Sequence, residues 1–273
     1  MSSVGSVAGL QEPTAGSYLQ LAALKDTGEE VGSRSKPGGD SALATLSTSE
    51  IIGGQEAQPH FRPYMAYLKI QREEKKRVCG GFLVSKNFVL TAAHCKGDNI
   101  TVILGAHDIT KQEQSRQVIR VRRAYPHQDY DNKPHNNDIM LLKLEHNAHL
   151  NEYVSPIPLP MAHQQMRPGT VCSVAGWGRT SAHNNLSSDT LRDPDLIYHD
   201  YNPSTMMCVG DPEMGRTVSC SVSQGDSGGP LVCQQTAQGI FSWGSEEGTP
   251  PAVYTRVSTF ILWIQKTMRM LQP

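Results

Sequence analysis

Ser227 is the residue of this chain that is best placed for nucleophilic chemistry. It lies within Gly225-Asp226-Ser227-Gly228-Gly229, where flanking glycines let the backbone approach a substrate and leave amides free to face a developing oxyanion. The same letters fit the G-x-S-x-G elbow of α/β hydrolases, in which an acid and then a histidine follow the serine. No histidine follows Ser227, so that order is excluded and the base must come from upstream.

His94 is the best candidate for that base among ten histidines. It ends the apolar run 88–93, although a lone histidine at a strand end is more often an ordinary polar loop residue. An imidazole base also needs a buried carboxylate on its second nitrogen. Asp138 fits because it enters the apolar run 139–142, where an unpaired charge would be costly. The alternative for Asp138 is a turn aspartate that caps its own loop.

Short apolar runs broken by Gly, Pro, Asn and Asp must position these side chains, and they predict an all-β fold. Strands are predicted at 64–70, 82–84, 88–92, 100–104, 117–121 and 139–144, and then at 171–175, 207–209, 230–233, 240–243 and 252–256. Residues 259–270 carry apolar positions at helical spacing, with Ser258 available as the N-cap.

Residues 1–50 differ in amino-acid composition from the rest of the chain. They are rich in Ser, Gly, Thr and Ala, which predicts disorder, and they lack the basic and apolar regions of a secretory signal. They are interpreted as a disordered pro-segment or, equally, as an atypical leader from an alternative first exon. The folded domain is expected to span 51–273.

Charge and composition exclude several classes of function. A net charge of -1 without a polybasic block argues against nucleic-acid binding, and no apolar run is long enough to span a membrane. Six cysteines without a C-x-x-C pair, and no H-E-x-x-H motif, argue for disulfides and against zinc. His146 and His149 are interpreted as exposed loop residues. No metal or cofactor is therefore assigned.

Five motifs, in family order, resemble the trypsin-fold serine proteases. They are Ile51-Ile52-Gly53-Gly54, Leu90-Thr91-Ala92-Ala93-His94-Cys95, Asn137-Asp138-Ile139-Met140-Leu141-Leu142, Ala175-Gly176-Trp177-Gly178 and Gly225-Asp226-Ser227-Gly228-Gly229-Pro230. Within that family, segments 59–66 and 208–212 are similar to the granzyme, mast-cell chymase and cathepsin G group. The resemblance covers nearly all of 51–273. It implies two six-stranded antiparallel Greek-key barrels with a C-terminal helix, in a monomer.

The resemblance also implies a serine endopeptidase that hydrolyses peptide bonds through an acyl-enzyme. Ser227 would be the nucleophile, His94 the general base and then acid, and Asp138 the carboxylate that orients the imidazole. Backbone amides of Gly225 and Ser227 would form the oxyanion hole.

Activation of a zymogen is a further implication. Cleavage after Glu50 would free the α-ammonium group of Ile51. That group would then pair with Asp226, a buried charge beside the nucleophile that needs a partner.

The implied substrate pocket is uncharged. Ser221 lies where trypsin-like enzymes keep an aspartate, and Ala252 is small and neutral, so the pocket should favour Phe, Tyr, Leu or Met before the cleaved bond. Ser242, Trp243 and Gly244 would belong to the strand that pairs with extended substrate backbone. Ordinary core packing is the alternative for Trp243.

Two disulfides follow from the resemblance, Cys79 to Cys95 and Cys172 to Cys233. Cys208 and Cys220 are left as a third pair. The strand that relatives have after Leu191 is expected to be missing, because Pro194 would interrupt it.

Partners and localisation are expected from the family. Protein or peptide substrates are implied, with secretion or storage in cytoplasmic secretory granules of immune or mast cells. Asn99 and Asn185 lie in glycosylation acceptor motifs. Residues 51–273 carry 22 basic and 20 acidic residues, a charge of +2, which gives faint support for binding granule proteoglycan. The alternative is a catalytically weak binding protein with a protease fold, which the predicted strand loss would favour.

Overall fold

The computed structural model describes six stretches of the chain, residues 57–133, 135–167, 170–177, 202–209, 226–244 and 252–271. The predictions for residues 1–50 and for the cleavage site at Glu50 lie outside these stretches. Among the described residues, no helix combines the length and apolar character that crossing a lipid bilayer requires.

The first six strands form a closed antiparallel barrel. They are β1 (Met65–Arg72), β2 (Lys75–Ser85), β3 (Phe88–Thr91), β4 (Asn99–Leu104), β5 (Gln117–Pro126) and β6 (Met140–Leu144). Around the barrel they are ordered β1-β2-β3-β6-β5-β4. Its interior is filled by fully buried side chains on one face of the strands, which include Leu68, Leu83, Val89 and Val102, and this apolar core fixes which face of each strand points inward.

The next five strands form a second antiparallel sheet. They are β7 (Cys172–Val174), β8 (Met206–Val209), β9 (Pro230–Cys233), β10 (Thr236–Gly244) and β11 (Ala252–Arg256). In the described part of the chain the sheet has five strands, in the order β7-β9-β10-β11-β8. The strand expected to be missing after Leu191 falls outside the described residues.

A long helix, α1 (Val257–Leu271), follows β11 directly. Its inner face buries Val257, Phe260, Ile261 and Ile264 in the same core cluster as the first barrel. The expected N-cap is wrong: the helix begins at Val257, so Ser258 lies inside its first turn and is buried.

The predicted all-β class with a C-terminal helix is confirmed. The largest boundary difference is in β2, where the sequence predicts only 82–84 but the strand starts at Lys75. Lys75 and Lys76 are exposed and pair with Arg72 and Gln71 of β1. This polar end of the hairpin extends into solvent, so it carries no apolar alternation that could reveal it.

Candidate active site

His94 and Asp138 meet because β3 and β6 are neighbours. Thr91 pairs with Met140, His94 lies in a 3-10 turn (Ala93–Cys95) just after β3, and Asp138 lies just before β6. The imidazole Nδ1 is 2.7 Å from Asp138 Oδ2, and the backbone N–H of His94 donates to Asp138 Oδ1 at 2.9 Å. The His94 side chain is 20% exposed and that of Asp138 is 0% exposed. One edge of the ring is thus fixed by a buried carboxylate and the other is open to solvent.

Two hydroxyl groups of the second sheet also hold Asp138. Ser242 Oγ donates to Asp138 Oδ2 at 2.5 Å, and Thr255 Oγ1 donates to the main-chain oxygen of Asp138 at 2.8 Å. Neither hydrogen bond is predicted from the sequence. The available signal was weak: each is a buried polar residue in an otherwise apolar strand.

These hydrogen bonds decide the charge of Asp138. Burial alone raises the pKa of a carboxyl group. Here the hydrogen bond and charge of His94, followed by the bond from Ser242, overcome burial and lower the pKa of Asp138 below its ordinary value. The site therefore contains a carboxylate that stays ionised although it is buried.

The turn before Asp138 has an unusual backbone. His135 and Asn137 both have positive φ, 63° and 55°, a region that Asn and His occupy more readily than most residues. Asn137 Nδ2 donates to the oxygen of Asp129 at 2.8 Å, which ties the turn down. The turn also brings the His135 ring to the His94 ring, with centroids 5.9 Å apart. No sequence motif predicts a role for His135.

The Ser227 backbone lies against the strand and turn that carry His94. Gly80 N donates to Ser227 O at 2.8 Å, and Cys95 Sγ is 3.7 Å from the same oxygen. Gly228 has φ of 83°, and a Cβ there would collide with Thr91 Oγ1 and Gly80 O. Only glycine fits such a position without strain. Gly225, the other expected oxyanion residue, lies outside the described residues.

Asp226 is 2% exposed and its side chain lies against Gly176. A Cβ at Gly176 would overlap Asp226 Oδ1, so the glycine of the Ala175-Gly176-Trp177 segment makes room for this carboxylate. Ile51, its expected partner after cleavage, is outside the described residues.

The predicted substrate strand forms the partly exposed end of the second sheet. Trp243 pairs with Val253, and Gly244 pairs with Ala252. Trp243, Gly244 and Ala252 are all partly exposed. The Ser242 side chain instead points to Asp138, so its hydroxyl holds that carboxylate. Ser221, the expected pocket floor, is outside the described residues.

The cysteines and acceptor asparagines are placed as follows. The structure joins Cys79 to Cys95 and Cys172 to Cys233. The first disulfide fixes the turn of His94 to β2 and the second links β7 to β9. Cys208 lies in β8, and Cys220 is outside the described residues. Asn99 is exposed at the start of β4, whereas Asn185 is not among the described residues.

Known proteins are similar to this chain in sequence and in fold. The family profile described as Trypsin matches residues 51–264. Mast cell protease 3 of Ovis aries is 51% identical over 230 residues, which is 81% of this chain and 90% of that protein. Cathepsin G of Homo sapiens is 46% identical over 261 residues, 92% of this chain and 93% of the relative.

Granzyme B of Homo sapiens is 48% identical over 238 residues, covering 83% of this chain and 94% of its own length. A solved structure described as "Structure of GrC" has a TM-score of 0.70 and 44% identity, and it covers 80% of this chain and 100% of that one. A paired histidine and buried carboxylate, on a closed β-barrel joined to a second sheet, thus occur in a sequence that matches one family over most of its length. The chain belongs to the trypsin family of serine proteases.

Proposed function

We propose that this chain hydrolyses peptide bonds with His94, Asp138 and Ser227 acting as one catalytic unit. The observation that carries the proposal is the 2.7 Å contact between His94 Nδ1 and a fully buried Asp138. An exposed turn aspartate would not need the three hydrogen bonds that this carboxylate receives.

The contact supports a separate role for each ring nitrogen of His94. Because the Asp138 carboxylate accepts a hydrogen bond from Nδ1, the proton lies on Nδ1 and Nε2 keeps its lone pair. In the proposed reaction, Nε2 takes the proton of Ser227 Oγ as that oxygen attacks the substrate carbonyl carbon. His94 then gives the proton to the leaving amine. In the second stage a water molecule attacks the acyl group while His94 takes a proton from it, and His94 returns that proton to Ser227 Oγ as the acyl group leaves. Asp138 stays ionised throughout and stabilises the imidazolium.

The oxyanion of each tetrahedral intermediate would be held by backbone amides of Gly225 and Ser227. The bond from Gly80 N to Ser227 O supports this role for Ser227, because it fixes the peptide group on the other side of that residue. Donors that are already in position lower the barrier because they need not reorganise during the reaction.

Activation is proposed to follow cleavage of the Glu50–Ile51 bond. Asp226 is buried next to the nucleophile, and a new α-ammonium group is the cation that this cleavage creates. An ion pair between the Ile51 α-ammonium group and the Asp226 carboxylate would order the segment that carries Ser227. An uncleaved chain is therefore expected to be inactive.

Primary specificity is proposed to be chymotrypsin-like. Ala252 adds no charge to the partly exposed end of β10 and β11, and Ser221 would leave the pocket floor neutral. A neutral pocket admits Phe, Tyr, Leu or Met, whereas a lysine or arginine side chain would be desolvated without a counter-ion.

Storage in secretory granules, or secretion, is proposed from the relatives named mast cell protease and granzyme. Binding to a sulfated proteoglycan is supported by β5, which exposes Arg120, Arg122 and Arg123. Burial, and then the charges of Arg122 and Lys86, lower the pKa of Lys143, so several cations share this face.

The test is hydrolysis of a matched set of peptides that differ only in the residue before the cleaved bond. Protein starting at a free Ile51, uncleaved protein and a processed Ser227→Ala variant are compared. We expect turnover only by the processed wild-type protein, and faster turnover of Phe, Tyr, Leu and Met peptides than of Lys, Arg or Asp peptides. Equal activity of the uncleaved chain, or of Ser227→Ala, would refute the proposal.

A further inference from the structure

A second imidazole stands beside the proposed general base. The rings of His94 and His135 meet edge to face, with centroids 5.9 Å apart and planes at 75°. Both residues are partly exposed. One ligand atom from each of His94, His135 and Asp138 lies within 4.8 Å of the others, so three side chains that can bind metal ions are close together, the two histidines partly exposed and Asp138 buried.

Asp138 is not available as a ligand in this group. Its Oδ2 accepts from His94 Nδ1 and Ser242 Oγ, and its Oδ1 accepts from His94 N. A histidine whose one ring nitrogen donates to a carboxylate presents the other as an oriented and more basic ligand, an arrangement common around protein-bound zinc. The candidate metal ligands are therefore the imidazoles of His94 and His135, and Asp138 orients the His94 ring.

We propose that His94 and His135 form an open, two-histidine site for a borderline transition-metal ion, Zn²⁺ foremost, and that occupation of this site reversibly inhibits the enzyme. The ion would take the His94 Nε2 lone pair, which is the electron pair that must accept the Ser227 proton. Inhibition rests on the proposed function, whereas metal binding rests on the geometry alone.

The chemistry of the donors sets which ions bind. Zn²⁺ bonds imidazole nitrogen at about 2.0–2.1 Å, and a tetrahedral ion separates two such nitrogens by about 3.3 Å. A change of side-chain conformation at the partly exposed His135 would be needed to bring its ring nitrogen to that distance, and water would complete the coordination. Ni²⁺ and Cu²⁺ also take imidazole, whereas Ca²⁺ and Mg²⁺ require oxygen ligands. The latter two ions should neither bind here nor inhibit.

Binding is tested without any need for catalysis. Calorimetric titration with Zn²⁺ is carried out on processed protein carrying Ser227→Ala, alone and combined with His135→Asn or His146→Asn. Asparagine is chosen because it tolerates the positive φ of His135. His146 is an exposed histidine of another loop, so its replacement controls for non-specific binding. We expect His135→Asn to weaken the tightest Zn²⁺ site at least about tenfold and His146→Asn to leave it unchanged.

Inhibition is tested in the same two variants with Ser227 intact, each relative to its own rate in metal-free buffer. Zn²⁺ should inhibit the wild-type protein and His146→Asn at equal concentrations, EDTA should restore the rate, and His135→Asn should need at least about tenfold more Zn²⁺. Unfolding curves of the variants confirm that they fold. Equal Zn²⁺ affinity with and without His135 would overturn the site. If the metal-free wild-type protein does not hydrolyse peptides, the proposed function fails while the calorimetric result still decides metal binding.

Discussion

Asp138 holds a negative charge where water does not reach it. Burial opposes that charge, and the bonds from His94 and Ser242 more than offset burial, so the pKa of Asp138 is below its ordinary value. A carboxyl group with a lowered pKa stabilises the fold at any pH above its ordinary pKa. That contribution is lost as the pH falls toward the folded-state pKa, because the unfolded chain then binds more protons. Asp138 should therefore stabilise the protein at neutral pH and cease to do so in acid.

Ser242→Ala and Thr255→Val distinguish a hydrogen bond to the charged carboxylate of Asp138 from a hydrogen bond to its uncharged main-chain oxygen. Each removes one buried hydroxyl bond to Asp138, the first to the carboxylate and the second to the main-chain oxygen. At pH 7 we expect each to lower the unfolding free energy by about 1–3 kcal/mol. Only the loss in Ser242→Ala should shrink toward acid pH, since only the carboxylate titrates. Denaturant unfolding at several pH values measures this, and parallel pH dependence in both variants would contradict it.

The loop that carries Ser227 is shaped by one glycine. Gly228 combines φ of 83° with close backbone neighbours from β2 and β3, and its N–H donates to Phe241 O in β10 at 2.9 Å. The loop thus has contacts with both sheets at a position where a side chain has no room. These contacts, rather than the serine itself, set where Oγ can lie.

Gly228→Ala should therefore damage the site more than an ordinary glycine substitution. Positive φ costs a non-glycine residue about 1–2 kcal/mol, and the collision with Thr91 and Gly80 adds to that loss. We expect an unfolding free energy lower by at least about 2 kcal/mol and a large fall in kcat. Gly244→Ala is the folding control, because the nearest atoms to its Cβ would be 3.5 Å away or more. Equal stability of the two variants would show that the loop can move aside.

Helix α1 is coupled to the barrel through a histidine. The His127 ring contacts Phe260 and Trp263, with centroids 5.2 and 5.1 Å away. Burial lowers the pKa of His127 from 6.5, although Asp129 opposes the shift. Between the ordinary pKa and the lower folded pKa the unfolded chain binds more protons, so stability falls as the pH drops below about 6.5.

His127→Gln should remove that pH dependence. Between pH 7.5 and 5.5 the wild-type protein should lose more unfolding free energy than His127→Gln does, because glutamine does not titrate. Denaturation midpoints at the two pH values give the comparison. His146→Gln, which removes an exposed histidine, should behave like the wild-type protein. The idea fails if His127→Gln shows the full wild-type pH dependence.

Across the whole molecule, the candidate site lies where the barrel and the second sheet meet. His94 and Asp138 lie next to strands of the barrel, whereas Ser227 lies just before β9 and Ser242 lies in β10 of the second sheet. The bond from Gly80 to Ser227 crosses the same boundary. The proposed catalytic geometry therefore depends on the fold of both parts.

Sequence patterns predicted the parts of this assembly that local chemistry determines. Apolar runs located most strands, and the Gly-rich motif and apolar flanks singled out Ser227, His94 and Asp138. They could not predict the hydroxyl bonds from Ser242 and Thr255 or the approach of His135 to His94. Those contacts arise from packing between distant segments, so the local patterns around Ser242 and His135 could not identify their partners. The polar end of β2 could not be predicted either, because main-chain pairing with β1 holds it as a strand and its side chains have no apolar alternation.

Covalent labelling tests most directly whether the imidazole held by Asp138 activates the Ser227 hydroxyl. Processed protein with a free Ile51 is treated with a fluorophosphonate, and the modified residue is located by peptide mass mapping. We predict one label, on Ser227, with a labelling rate lower by about 10⁴ in Asp138→Asn because the imidazole tautomer is lost. A folded and processed protein that takes no label on Ser227, or that is labelled equally fast in Asp138→Asn, would contradict the account.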